Sequence, residues 1–414
     1  MASYKFWKTQ PVPQFSSANE VTDGPIRLIQ PEDIPSEPEK LLPGYEWVTL
    51  DLDDESHLDE VFHLLADHYV EDEDNEFRFL YSKQFLKYAW QPPGWIKNWH
   101  VGIRASESKE LVACICGIPS TITVRNTELR VSVINYLCIH TSLRRRRLTP
   151  VLIQEMTRRC YQEGVFQAVY TSATVLPKPV ATSSYFHRSL NWLKLYDVGF
   201  ASLPPDSTKD AEIEKCALPE EPSFSGIRPL SVEDIPRVHE LLCRYLKRFD
   251  LALSPTQEEV QHWLLRTADS PADEILWTYV VEDPDTLAIT DFVSFYIIEE
   301  LVLKNPKHRS IKVAYLNYYA SEAGFSRKRA DLKERLELLV NDALVFAKSN
   351  GADVFNALTT YHNHLFFDKL KFVRGDGVLH FYLFNYRTQP ILGGNSYMRS
   401  AANMVKGGVG LIVT

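Results

Sequence analysis

The stretch "VSVINYLCIHTSLRRRRLTPVLIQEM", Val131 to Met156, decides how this chain reads. It begins as a Val/Ile-rich, strand-like run. It ends as a helix that should start near Thr149 and Pro150, with Thr as a plausible N-cap, Pro in the first turn and Gly164 as the stop. Four consecutive arginines, Arg144 to Arg147, lie between the two. A helix N-terminus offers unpaired N–H groups and a partial positive charge, and arginine adds bidentate contacts to phosphate. A short basic run alone is more often a solvated face or a nuclear-localisation patch. Its position between strand and helix favours an anion site for a nucleotide or coenzyme A.

Working outward, "WHVGIRA", "LVACICGIPSTITV" and "LRVSVINYLCIH" read as successive strands before the arginines, and "VFQAVYTSA" as another after the helix. "DEVFHLLADHYV" has helical periodicity. The second half repeats the order: "IPRVHELLCRYL" near Val238 echoes the helix near Val61, and the segment ending at Gly351 echoes the one ending at Gly164. The near-constant offset implies two copies of one α/β unit. The Pro-rich, charged stretch Ala201 to Gly226 reads as the linker, and the first forty-odd residues as an extended arm. The absence of G-x-x-x-x-G-K-S/T excludes a P-loop, and the absence of G-x-G-x-x-G after a strand argues against a dinucleotide fold.

The 414 residues carry a net charge of −9 and are 45% hydrophobic, as in a folded globular protein of two or three domains. The acidic balance argues against a general nucleic-acid binder and suits basic substrates. The six cysteines form no C-x-x-C pair and read as buried thiols in a reducing compartment. The twelve histidines show no ligand spacing, so no metal is expected. No apolar run reaches the length of a membrane span and no leader is evident, which points to the cytoplasm. Nothing signals an oligomer, and we expect a monomer.

The order of three strands, arginines and helix resembles acyl-CoA N-acyltransferases. "INYLCIHTSLRRRRLTPVLIQEMTRR" is similar to the signature of glycylpeptide N-myristoyltransferases, and "KFVRGDG" (Lys371 to Gly377) to their second signature. "YKFWKTQPVP" at Tyr4, "HYVEDEDNEFRF" at His68, "LPKPVATSSYFHRSLNWLKLYDVGF" at Leu176 and "AYLNYYA" at Ala314 resemble further family blocks, in family order across the chain. Departures from the family pattern include Tyr136, Thr141 and Arg145. The resemblance implies a mixed-sheet α/β (α+β) fold of two tandem GNAT-like units related by a pseudo-two-fold. Residues 1–205 would bind myristoyl-CoA. Residues 206–414 would supply most of the remaining peptide groove and the C-terminal carboxylate.

The implied reaction moves myristate from myristoyl-CoA, an acyl-donor substrate and not a resident cofactor, to the α-amine of an N-terminal glycine on peptides or nascent proteins. The tetrahedral intermediate needs N–H donors, and the amine, with a pKa near roughly 8, must lose a proton. The resemblance assigns the oxyanion hole to the backbone N–H groups of Tyr136 and Leu137 and the base to the carboxylate of Thr414. Since "GGVGLIVT" ends the chain without a charged tail, that carboxylate should be tucked inside. Tyr4, Lys5, Phe6 and Trp7 would lie against the coenzyme. Leu137, Cys138 and Ile139 would line the thioester region, and Arg144, Arg145, Arg146, Arg147, Leu148 and Thr149 would hold the phosphates. Tyr69, Val70, Asp72, Asp74, Phe77, Phe79, Asn135, Thr171, Tyr185, His187, Asp376 and Gly377 would form the peptide groove. Taken without the resemblance, Tyr136 and Leu137 simply fill a strand, "EDEDNE" is a solvated loop, "GDG" is a tight turn and His187 is structural. Another acyl-CoA N-acyltransferase acting on a different amine, or a non-catalytic acyl-CoA-binding module, are the alternatives.

Overall fold

The computed structural model describes residues 5–16, 22–70, 76–144, 146–266, 275–394 and 406–413. In the first half the chain forms β1 (Tyr45–Thr49), α1 (Glu55–His68), β2 (Phe77–Leu80), β3 (His100–Ala105), β4 (Leu111–Val124), β5 (Thr127–Ile139), α2 (Leu148–Gln162), β6 (Gln167–Ser172) and β7 (Ala181–Ser189). The second half repeats them in order. These are β8 (Ile227–Pro229), α3 (Ile235–Leu246), β9 (Leu251–Leu253), β10 (Leu276–Glu282), β11 (Ile289–Val302), β12 (Ser310–Ser321), α4 (Arg329–Ser349), β13 (Val354–Leu358) and β14 (Val373–Phe384). A short β15 (Val409–Gly410) follows.

The order across the sheet is β1-β3-β4-β5-β6-β14-β7-β13-β12-β11-β10-β8. Replacing each strand by its counterpart returns the same order reversed, so the two units are related by a pseudo-two-fold axis. At the centre the last strands are exchanged: β14 lies between β6 and β7, and β7 between β14 and β13. A second exchange is lateral, with β2 pairing with β11 and β9 with β4. Each half has a parallel pair joined through its crossover helix, β5 with β6 through α2 and β12 with β13 through α4, and the short β15 adds a further parallel pairing with β9. A parallel pair needs a crossover, which the helix supplies.

Local chemistry explains the boundaries. Asp54 caps α1 by accepting from the Ser56 N–H at 2.8 Å. Gly164 and Gly351 follow the two crossover helices with φ of 70° and 84°, the left-handed conformation that closes a helix C-terminus. The apolar face of α4 packs Leu336, Leu339, Val340 and Ala343, all 0% exposed, into the second-half core.

Three expectations change. α2 begins at Leu148, its N-cap is Arg147 in the left-handed region, and no side chain caps it. Thr149 therefore lies within the first turn. The Ala201–Gly226 linker is ordered: it contains the helix Lys209–Lys215, and the Ser223 and Phe224 N–H groups donate to the Asp342 carboxylate at 2.6 and 3.1 Å. The described part of the N-terminal arm is docked, not free. Trp7–Thr9 and Pro31–Asp33 form 3-10 turns, and Gly24–Pro25 pairs with Tyr386–Arg387.

Candidate active site

The strand that decides the reading is broken where the chemistry is expected. Between β4 and β5 the register passes from Cys114↔Cys138 to Cys116↔Asn135, so Tyr136 and Leu137 together stand opposite the single residue Ile115. This is a bulge, and Tyr136 takes φ +54°, uncommon for a bulky residue. The conformation is held by packing. The Tyr136 ring is 2% exposed and sits 5.4 Å from Tyr81, 5.5 Å from Trp90 and 6.1 Å from Tyr69. Its carbonyl accepts from the Cys114 thiol, and its N–H donates to Asn135 Oδ1 at 2.9 Å. An incoming oxyanion would have to take that N–H from the Asn135 amide. Neither Tyr81 nor Trp90 is signalled by spacing in the sequence; both come from the α1 side of the fold.

Parallel pairing of β5 with β6 stops at Ile134↔Tyr170, so the strands part at the bulge. Trp7 stacks on Tyr170 at 5.7 Å and 10°, at the mouth of that parting, and Phe6 packs edge-on to Trp7. Lys5 is exposed beside them. Tyr4 lies outside the described residues. Cys138 and Ile139 are buried past the bulge, and burial pushes the Cys138 thiol up to about 12, so it is no nucleophile.

The arginine loop closes the same end. Arg144, Arg146 and Arg147 are exposed, and Arg145 lies outside the described residues. Arg144 donates to the His68 carbonyl at the C-terminus of α1 at 2.6 Å, which ties the loop to that helix. His68 also packs against His140, with ring centroids 3.9 Å apart and the rings tilted by 47°. Burial, and then the neighbouring His140, hold the His68 imidazole below its ordinary value. Leu148 is buried and Thr149 half-buried in the first turn. No side chain caps α2 at Arg147 and Pro150 has no N–H, so Leu148 and Thr149 carry the backbone donors at the start of the helix, the kind of end that suits an anion.

On the other side Tyr69 ends α1, and Phe79 stacks on Tyr81 at 5.8 Å. Phe77 instead packs edge-on to Phe200, away from Tyr136. Val70 is exposed; Asp72 and Asp74 lie outside the described residues. Tyr185 and His187, two apart on β7, present parallel rings 6.5 Å apart. His187 is fixed by Asn356 Oδ1 at 2.6 Å, and burial holds its imidazole below the ordinary value against the pull of Asn356 and Asp376.

The Gly-Asp-Gly segment is not a turn but a bulge within β14: the register jumps from Arg374↔Phe186 to Val378↔Ser184. A Cβ on Gly375 would stand 2.1 Å from His187 Nε2, and one on Gly377 3.2 Å from Tyr185. The bulge thus brings exposed Asp376 and Gly377 beside the β7 pair. Thr171 lies elsewhere: it faces Phe381, opposite Ala181, four residues along β7 from Tyr185, or about 13 Å at strand rise.

Between these walls lies a mostly apolar cavity of about 50 Å³, lined by Asn135, Tyr136, Asn317, Tyr318 and Leu411 to Val413 among others. The C-terminal segment therefore reaches the β5 bulge, and Leu411 is 2% exposed. Thr414 lies outside the described residues. Among the described residues no group of His, Cys, Asp and Glu side chains could hold a metal ion, and no helix is long and apolar enough to cross a membrane.

Two models of one family match the chain: the N-terminal domain of myristoyl-CoA:protein N-myristoyltransferase over residues 25–183 and its C-terminal domain over residues 197–412. Glycylpeptide N-tetradecanoyltransferase of Aspergillus fumigatus is 54% identical over 413 residues, covering 100% of this chain and 84% of that protein. The Emericella nidulans protein of the same name is 51% identical over 414 residues, with the same coverages of 100% and 84%. A crystal structure of Saccharomyces cerevisiae N-myristoyltransferase with bound myristoyl-CoA superimposes with a TM-score of 0.95 at 45% identity, over 99% of this chain and 94% of that one.

Proposed function

The chain belongs to the myristoyl-CoA:protein N-myristoyltransferase family and is a glycylpeptide N-tetradecanoyltransferase; from that premise we propose how its own residues carry the transfer. Myristoyl-CoA is the acyl donor. Its phosphates lie at the N-terminus of α2 against Arg144 to Arg147, with Lys5, Phe6 and Trp7 over the coenzyme. The thioester lies in the parting of β5 and β6 beside Leu137, Cys138 and Ile139. The acceptor is the α-amine of an N-terminal glycine, approaching between the β2–α1 wall and the Tyr185, His187 and Asp376 side. Residues 1–205 hold the donor, and residues 206–414 supply the rest of the groove.

The observation that carries this reading is the Tyr136–Leu137 bulge at the point where β5 leaves β6. It frees backbone from the ladder where a tetrahedral oxyanion would form, and rigid N–H donors stabilise that charge. The amine attacks the thioester carbonyl and passes its proton to the Thr414 carboxylate. The oxyanion collapses and expels coenzyme A as the thiolate, which takes up a proton from solvent. Support for the base is positional: Leu411 to Val413 line the same cavity as Tyr136.

The test is thiol release from myristoyl-CoA with a peptide beginning Gly-x-x-x-Ser against its Ala-first twin. Release with glycine alone is expected. Release with neither peptide, despite tight donor binding, would overturn the reading in favour of a binding module or another amine. Deleting Leu411 to Thr414 should abolish transfer and spare donor binding; full activity would remove the carboxylate from the mechanism.

A further inference from the structure

The bulge in β5 has a twin. Between β11 and β12 the register passes from Val293↔Tyr319 to Phe295↔Leu316, which leaves Asn317 and Tyr318 where the first half has Tyr136 and Leu137. The parting is repeated too: parallel pairing of β12 with β13 stops at Tyr315↔Asn356. In the first half the equivalent gap opens toward the arginine helix. In the second half it is filled by the chain's own end.

The Tyr361 N–H, just past β13, donates to the Val409 carbonyl at 2.9 Å, and the Tyr361 hydroxyl donates to the Gly410 carbonyl at 3.3 Å. From the other side the Tyr318 hydroxyl accepts from the Ile412 N–H at 3.2 Å and donates to the Ile412 carbonyl at 3.4 Å. Gly410 has no room for a side chain, since a Cβ there would stand 2.8 Å from the Phe249 ring. Val409 and Leu411 are buried.

We propose that the second cleft is a socket for the terminal segment, and that Tyr318 is a positioning residue that grips Ile412 at both backbone polar groups and so aims the chain's end at the β5 bulge. The inference rests on the terminal carboxylate being the base, and deepens that reading. One phenol satisfies two backbone groups that would otherwise be stranded in an apolar cavity, and these belong to the two peptide units on either side of Ile412, so the planes before and after it are oriented together. Burial drives the Tyr318 phenol well above its ordinary value, which keeps its proton available to the Ile412 carbonyl.

Tyr318→Phe removes both bonds with little change in volume. Misplacing a reacting group by about 1 Å can cost roughly a hundredfold. We expect kcat to fall tenfold or more, donor and peptide dissociation constants to stay within about twofold, and the Ile412 amide to lose its protection from hydrogen exchange. Tyr361→Phe, which frees Gly410 further from the end, should give a smaller fall and stands in if Tyr318→Phe does not fold. Unchanged kcat, unchanged Ile412 exchange, or parallel loss of donor affinity would overturn the socket. Deletion of Thr414 separates the two ideas. If it leaves turnover intact, the base reading falls and the grip is judged by Ile412 exchange alone. If it abolishes turnover while Tyr318→Phe does not alter it, the base stands and the grip falls.

Discussion

Single residues set both the shape and the pH limits of this site. Gly375 is the sharpest case, because the His187 ring occupies the space of its missing side chain and Asn356 holds that ring in place. Gly375→Ala must push the imidazole out of the groove. We expect peptide KM to rise tenfold or more and stability to drop by roughly 1–3 kcal/mol, the usual cost of overpacking; an unchanged KM would show that the ring does not shape the groove. His100 bears on stability instead. Its Nε2 lies 3.0 Å from the Trp90 carbonyl, Trp95 stacks on its face at 5.1 Å, and burial pushes its pKa down to about 4.

The folded pKa of His100 lies below the unfolded value of about 6.5, so protonation favours unfolding. Its contribution is complete above the unfolded value and is lost as pH falls toward about 4. The loss approaches about 3 kcal/mol at the lower end, from the 1.36 kcal/mol carried by each pKa unit. Urea unfolding at pH 7 and pH 5 should show a smaller pH effect in His100→Gln than in the parent; equal slopes would assign the acid sensitivity elsewhere.

At the scale of elements, the α2 N-terminus combines charge with a turn that charge does not require. Arg147 stands at φ +59°, where glycine is at ease and a Cβ is costly. Arg147→Gly relieves the backbone and removes the exposed side chain with its guanidinium. Donor affinity should then fall by about tenfold, the worth of one charge-assisted contact, while peptide affinity and melting temperature hold. Isothermal titration with each substrate measures this, and equal losses for both would count against a phosphate role. The strand, the arginines and the helix are all legible in "VSVINYLCIHTSLRRRRLTPVLIQEM". The bulge between them is not, because a bulge is a mismatch of register between two strands, and only the pairing with β4 reveals it. The Gly-Asp-Gly segment misleads for the same reason. Its composition is that of a turn, yet pairing with β7 on both sides makes it a bulge.

At the scale of the molecule, the exchange of β7 and β14 at the centre of the sheet means that neither half closes alone. Fragment 1–205 would lack the strand that covers β6, and fragment 206–414 the strand that covers β13, leaving unpaired edges in mid-sheet. Each fragment expressed singly should be aggregated or unfolded, and coexpression should restore a complex. A cooperative, well-dispersed spectrum from either fragment would show that the exchange is not needed for folding. The internal repeat was visible in the helices near Val61 and Val238 and in the glycines at 164 and 351. The exchange was not, since two tandem separate units and two interlocked ones have the same order of elements along the chain.

What the sequence by itself determined is therefore local: the alternation of strands and helices, the basic helix start, the burial of the cysteines other than half-buried Cys243, and the apolar run before Thr414. These follow from side-chain periodicity and charge within a dozen residues. Only the tertiary structure decided that Tyr136 would sit at positive φ among Tyr69, Tyr81 and Trp90, that Asp376 would stand beside His187, and that Tyr318 would hold Ile412. Each of those joins residues dozens to hundreds of positions apart or depends on such a junction. Their energies come from packing and from satisfying buried backbone groups, which have no signature until the sheet is assembled.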